Sequence, residues 1–316
     1  MAADPPSEPL PPDPSALLLL AEIADAGSVT AAARRLGVSQ PAVSKQLRRL
    51  EQALGVILFE RGLRGIQPTE YGQALLPRAR AIRAQAREAG EEVRQRRGLR
   101  EGRVVVALSH FATIALLPRV VRAFRERWPG VQLSIVPPTF HLGGLREGEP
   151  DFAVMSMPAE RLGAEFSARP VYATTVAVVV RPEHPLARAK SLADLRDAQW
   201  LLPSVESSVT RGLARAFRQA RLGAPQCVMT CQTLTGLETI ATHTDLVAAI
   251  PLEVHLARSG ATGLRRLALS EAIEGPRVAI LRWADARPTP ASADLEEAFV
   301  EAAHAMAKGA ARKGRQ

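Results

Sequence analysis

Most of what would make this chain an enzyme is missing from it. His110 has no acid and nucleophile near it at a recognisable spacing, and no glycine-rich phosphate loop occurs. Four clustered metal ligands are absent as well. The expectation is therefore no catalytic residue, no metal and no cofactor. Two cysteines, Cys227 and Cys231, cannot form a disulfide framework, which points to the cytoplasm. Leu17 to Ala21 is too short an apolar run to span a membrane. The first residues are acidic and proline-rich rather than basic and then apolar, so no secretory leader is expected.

Acid is also in short supply. Among 316 residues, 41 Lys and Arg face 32 Asp and Glu, a formal charge of +9, which suits a polyanionic partner. Between Ala26 and Arg87 only Glu51, Glu60 and Glu70 oppose a run of basic residues that includes Arg34, Arg35, Arg80, Arg83 and Arg87. The positive field is expected there, where it would serve phosphate binding.

That region is built from two short helices. Ser28 is a favoured N-cap ahead of an alanine run, and Gly37 stops the first helix. Ser39 is a second N-cap, and Pro41 falls in the first turn, where its missing N–H costs nothing. Val43, Leu47, Leu50 and Leu54 mark a buried face. Gln40, Ser44, Lys45 and Arg48 mark the opposite one. This is a helix-turn-helix pattern. Gly55 to Arg61, a turn at Gly62-Leu63-Arg64-Gly65, and Ile66 to Thr69 add a small wing with Arg61 and Arg64 near its tip.

Ala31-Ala32-Ala33 to Leu36, Val38 to Ser44, Leu50-Glu51, Leu54-Gly55, Leu58-Phe59 with Arg61, and Thr69 with Gly72 together resemble the N-terminal signature of LysR-type transcriptional regulators. The resemblance extends over roughly Ser15 to Ala307. In the body it rests on Pro118, Phe124, Pro129, Asp151 to Val154, His184-Pro185-Leu186 and Leu192 to Leu195. Thr244-Asp245-Leu246 stands where members often carry a glycine pair, a departure that bears on the pocket lip and not on the fold.

The expected fold is α/β with an N-terminal winged helix-turn-helix. Strands alternate with helices after Gly102, which reads as a parallel sheet with helices on both faces. The resemblance implies an effector domain of two Rossmann-like α/β subdomains, similar to type 2 periplasmic binding proteins. The expected boundaries are a disordered tail (1–14), the DNA-binding domain (15–72), a linker helix (73–98), an effector-binding domain (99–307) and a basic tail (308–316). Subdomain I takes 102–172 and 276–307, and subdomain II takes 173–275. In the linker, Leu75, Ala79, Ile82, Ala86, Ala89 and Val93 form a heptad seam. The family uses this helix for dimerisation, although an amphipathic helix lying on its own domain gives a similar pattern. Pro77 suggests a kink or a late start.

DNA reading is expected at the start of the second helix. Gln40 can pair with adenine, and Pro41 and Ala42 can touch a thymine methyl. Ser39 and Ser44 lie beside them. Lys45 and Arg48 suit phosphate or guanine. Ser28 and Thr30 can donate to a phosphate. Arg64 suits the minor groove, with Arg61 beside it.

A second site is expected at the carboxyl ends of the strands. Ser109, His110, Thr139, Ser204, Ser208, Thr210 and Thr233 sit there. Hydroxyl-rich helix starts suit an anionic effector, and plain N-capping explains them equally well. Cys227 and Cys231 would share a strand face with Met229, a pattern more often core than redox sensor. The expected partners are double-stranded DNA, a second copy in a dimer or tetramer, a small organic effector and, by the resemblance, RNA polymerase, with no membrane. The alternatives are a redox-responsive regulator working through Cys227 and Cys231, or a cleft-based small-molecule-binding protein.

Overall fold

The structure, a computed structural model, describes residues 12–62, 65–137, 143–156 and 162–313. The chain divides into two compact units, Met1–Leu99 with Phe140–Asp151, and Arg100–Thr139 with Phe152–Gln316.

In the first unit α1 (Pro14–Ala26), α2 (Val29–Leu36) and α3 (Gln40–Leu54) each end at a glycine. Gly27, Gly37 and Gly55 take φ of 68°, 68° and 69°, the left-handed region that strains any side chain. Pro14, expected in the tail, instead opens α1, where the Asp13 carboxylate caps the Ser15 amide. Leu20, Ile23, Val43, Leu47 and Leu50 pack into one core. Leu54, expected on that buried face, is exposed and lines a shallow groove with Ala16 and Ala53.

The wing pairs β1 (Phe59–Gly62) with β2 (Gly65–Pro68) in antiparallel register. β1 begins later than the apolar run suggests, because the backbone just before it is engaged elsewhere. The Ile57 carbonyl accepts from the Thr69 hydroxyl, and the Leu58 amide donates to Glu51.

The long helix α4 (Glu70–Arg96) runs through Pro77, so that proline does not mark its start. Thr69 caps it. A Cβ at Gly72 would lie 2.2 Å from the Leu58 carbonyl oxygen, so only glycine lets α4 begin against the wing. The heptad seam divides in two. Leu75, Ala79 and Ile82 pack into the head core, whereas Ala86, Ala89 and Val93 are exposed. Ala84, Glu91 and Gln95 are buried on another face. A Cβ at Gly148 would fall 2.2 Å from Ala84 Cβ, which shows how closely the segment after the short helix Gly143–Arg146 approaches α4.

The second unit opens with β3 (Glu101–Leu108), a π-helical turn (Ala112–Leu116), α5 (Leu117–Arg127), β4 (Gly130–Val136) and β5 (Phe152–Ser156). The strand β6 (Phe166–Val180) follows, then β7 (Gln199–Leu202), α6 (Ser208–Gln219) and β8 (Gln226–Thr230). It closes with α7 (Leu234–His243), β9 (Val247–Pro251), α8 (Leu252–Thr262), β10 (Arg265–Arg266), β11 (Glu274–Trp283) and α9 (Pro290–Lys313).

The strand order is β4-β3-β5-β11-β6-β9-β7-β8, with β10 on β6. The sheet is mixed rather than parallel as expected. β4-β3-β5 and β9-β7-β8 are parallel, but β11 runs antiparallel to both β5 and β6, and β6 runs antiparallel to β9. The cause is that β6 and β11 pass between the two halves. Residues 166–175 of β6 pair with β11, and residues 176–180 pair with β9 and β10. One core gathers Phe124, Phe152 and Phe299, and another gathers Trp200, Leu213 and Phe217.

Where β6 passes from one half to the other, the buried Glu253 carboxylate accepts from the hydroxyls of Tyr172 and Thr174. Burial and then Glu253 push the Tyr172 phenol well above its ordinary range. β8 is an exposed edge strand, so Cys227 and Met229 are not core as expected. No single helix among the described residues is long and apolar enough to cross a membrane.

Candidate functional site

On the head, α3 buries Val43, Leu47 and Leu50 and turns Gln40, Lys45 and Arg48 outward. Pro41 and Ala42 are exposed at its first turn. The Gln40 side-chain amide donates to Ser44 Oγ at 3.0 Å, which fixes the glutamine along the outer face. Ser39 holds the N-cap position, but its side chain makes no cap hydrogen bond and remains exposed. Ser28 Oγ accepts the Ala31 amide at 3.0 Å, which leaves its hydroxyl proton able to donate, and Thr30 is exposed beside it. Arg64 and the side chain of Arg61 lie outside the described residues.

The positive field is narrower than the local charge count suggests. Arg80 and Arg83 reach Asp25 at 2.9 and 2.6 Å, Arg83 and Arg35 reach Glu22, and Arg87 sits among Glu88, Glu91 and Asp151. Burial pushes the Asp25 carboxyl up, but Arg83 and Arg80 outweigh it and hold it below the ordinary value. These arginines are answered by acids outside the 26–87 window. Lys45 and Arg48 carry no ion pair among the described residues, so α3 keeps open positive charge, as do Arg34 on α2 and Arg78 on α4.

In the second unit a cavity of about 400 Å³ opens between the ends of β3 and β5 and the starts of α6 and α7. Ser109, His110 and Ser208, expected there, line it. Ser204, Thr210 and Thr233 are not on its wall. Thr210 donates to the Ser204 carbonyl at 2.6 Å and pairs with Ser207 Oγ, so its hydroxyl is consumed in shaping the turn. Thr233 holds the N-cap position of α7 without a side-chain cap bond, 3.6 Å from Cys231 Sγ. Thr139 lies outside the described residues.

Ser156, Arg211 and Gln232 line the cavity and were not anticipated. Ser156 ends a strand whose position was clear, and Gln232 follows another. Arg211 sits in the first turn of α6. The position of each relative to an element's end was the available signal. Ser156 Oγ and Ser208 Oγ lie 3.0 Å apart across the cavity edge. Arg211 donates to the Glu206 carbonyl and to Ser208 Oγ. Phe111, Leu234, Leu237, Ile250 and Val278 supply apolar wall. An apolar chamber lined by one guanidinium, one carboxylate (Glu206) and several hydroxyls fits a small, largely apolar organic molecule, with Arg211 as the partner for an anionic group on it. No group of three His, Cys, Asp or Glu able to hold a metal occurs among the described residues.

Two family descriptions match the chain. "Bacterial regulatory helix-turn-helix protein, lysR family" matches residues 14–73, and "LysR substrate binding domain" matches residues 97–304. The chain is 31% identical over 203 residues to the HTH-type transcriptional regulator GbpR of Azospirillum brasilense, covering 63% of this chain and 59% of that protein. It is 26% identical over 243 residues to TdcA of Escherichia coli K12, covering 75% and 77%. It spans 59% to 63% of the length of the first three curated relatives it matches. Full-length CbnR in complex with its target DNA shares the fold, with a TM-score of 0.65 and 24% identity over 92% of this chain and 99% of that one. ArgP from Mycobacterium tuberculosis shares it with a TM-score of 0.69 and 21% identity, over 93% and 98%.

Proposed function

The chain belongs to the LysR family of bacterial regulators, and from that premise we propose that it controls transcription by binding promoter DNA through α3, with a small organic anion in the cleft adjusting that binding. The observation that carries this reading is the outer face of α3. Gln40, fixed by Ser44, stands beside exposed Lys45 and Arg48, with Pro41 and Ala42 at the leading turn. Gln40 reads an adenine edge, Pro41 and Ala42 meet a thymine methyl, and Lys45 and Arg48 neutralise phosphate or read guanine. Ser28, Thr30 and Ser39 hold the backbone of the same groove, and Arg61 and Arg64 place the wing against the next one.

We assign 15–72 to the DNA-binding domain, 73–98 to the linker helix and 99–307 to effector binding. The exposed part of the α4 seam, Ala86, Ala89 and Val93, pairs with a second copy. The pairing sets two heads on an interrupted palindrome in a dimer or tetramer. An effector that binds one state of the assembly better changes the angle between heads and so the contact with DNA and RNA polymerase. The chain acts as a regulator and not as an enzyme.

The test is a salt series of binding to the DNA upstream of its own gene and to random DNA, for wild type, Gln40→Ala and Arg48→Ala. Specific binding exceeds random by more than ~10³, and Gln40→Ala removes the preference. Equal, weak binding on both DNAs sinks the reading.

A second reading, redox response through Cys227 and Cys231, has one observation in its favour: Cys231 lines the cleft. If oxidant leaves DNA binding equally unchanged in wild type and Cys231→Ser, that reading is removed.

A further inference from the structure

A second cavity of about 510 Å³ adjoins the cleft and shares Ser156, Ser208 and Arg211 with it. We propose that it is a separate ligand site for a small organic dianion, a dicarboxylate or a phosphate monoester.

The charge on its wall is unbalanced. Among the described residues Arg211, Arg215 and Arg277 line it, and the one carboxylate beside them is Glu274. Arg215 answers Glu274 at 2.9 Å. Arg277 has no ion-pair partner among the described residues. Arg211 spends its hydrogen bonds on the Glu206 carbonyl and the Ser208 hydroxyl, neither of which carries charge. Two of the three guanidiniums, those of Arg211 and Arg277, thus answer no acid among the described residues. Their planar forks match carboxylate and phosphate oxygens two at a time.

The geometry supports convergence on one occupant. Arg211 and Arg215 are four residues apart and therefore share a face of α6. That helix begins at Ser208, so its positive end adds to the same field. Arg277 comes from β11. Leu162, Ala168 and Pro170 give the chamber an apolar side for a short carbon body. The volume falls in the range of small-ligand sites.

The shared wall couples the two cavities. The Arg211 fork that would turn toward an anion here is the one that now braces Ser208 and the Glu206 carbonyl at the cleft. A ligand in either cavity changes the preferred Arg211 position, so each alters the affinity for the other by the same factor.

The test is isothermal titration of the full-length chain with succinate and with inorganic phosphate, in a buffer free of other polyvalent anions. At least one probe saturates a single site per chain with a dissociation constant of about 1 mM or tighter. Arg277→Gln weakens that binding about tenfold, and Arg277→Lys weakens it less, because charge remains while the fork is lost. Arg277 is exposed, so both variants keep the wild-type melting temperature. Arg48→Gln on the head leaves the binding unchanged. No saturation by either probe below about 20 mM overturns the proposal. So does saturation that Arg277→Gln leaves intact, or that Arg48→Gln removes.

Discussion

A single carboxylate oxygen of Glu51 accepts the amide of Leu58 at 2.9 Å and that of Phe59 at 3.4 Å. The last turns of α3 are thereby tied to the start of the wing, so the element that reads DNA also positions the element beside it. Glu51→Ala strands two backbone donors and costs about 1–2 kcal/mol. Affinity falls by a similar factor on the upstream DNA and on random DNA, and the Gln40-dependent preference survives. Binding curves on both DNAs check this, and Glu51→Gln, which keeps the acceptor, stays near wild type.

Arg48 carries no ion pair among the described residues, so its charge is available to phosphate. Arg48→Ala lowers the slope of log affinity against log salt by about 1. Arg83→Ala leaves the slope unchanged, because its guanidinium already answers Asp25 and Glu22. The same salt series separates the two.

Glu88 on α4 gives a pH signature. Burial pushes its carboxyl up, Asp151 and Glu91 push it further, and Arg87 only partly offsets them, leaving it at about 7 against an ordinary 4.5. Below 4.5 the folded and unfolded chains both hold the proton. As pH rises from 4.5 to about 7 the unfolded chain releases it while the folded chain keeps it, so stability falls across that window and then levels off. After allowing for solvent at the site, the loss is about 1–2 kcal/mol. Glu88→Gln flattens this part of the profile, and melting temperatures measured across the window show the difference.

In the second unit the buried Glu238 carboxylate takes three hydrogen bonds from Arg258, at 2.7, 2.8 and 3.0 Å. Arg258→Ala leaves that charge buried without its counter-ion and costs about 2–4 kcal/mol, the lower part of the range reflecting a half-exposed arginine. Arg258→Ala with Glu238→Gln recovers most of the loss. Thermal unfolding of the single and double variants checks this.

The head could be read from the chain because its instructions are local. Ser28 and Gly37 act within a few residues of themselves, as cap and stop. What resisted reading depends on distant partners. The acids that answer Arg80 and Arg83 are Glu22 and Asp25 of α1 and the distant Glu147, so a charge count confined to residues 26–87 overstated the field. The early part of β6, Phe166 to Pro170, is mostly exposed and has no continuous apolar run, and its extended form comes from β11, more than a hundred residues later. α8 follows Pro251 directly, and no capping residue announces it. In the cleft, hydroxyls at helix starts were visible as a class. Only the fold separates Ser208, on the wall, from Thr210, whose hydroxyl closes its own turn.

The place of β11 has a consequence for the order in which the protein is made. β11 lies between β5 and β6 yet leaves the ribosome long after both. At about 5–20 residues per second, the seat between those strands stays empty for roughly 5–20 s after Val180 emerges. The three helices and wing of the head, complete by Pro68, need nothing from that late strand. A nascent chain therefore carries a finished DNA-reading surface while its sensing half is still open, and ribosomes stalled between Val180 and Trp283 would hold molecules able to grip DNA but not to answer an effector.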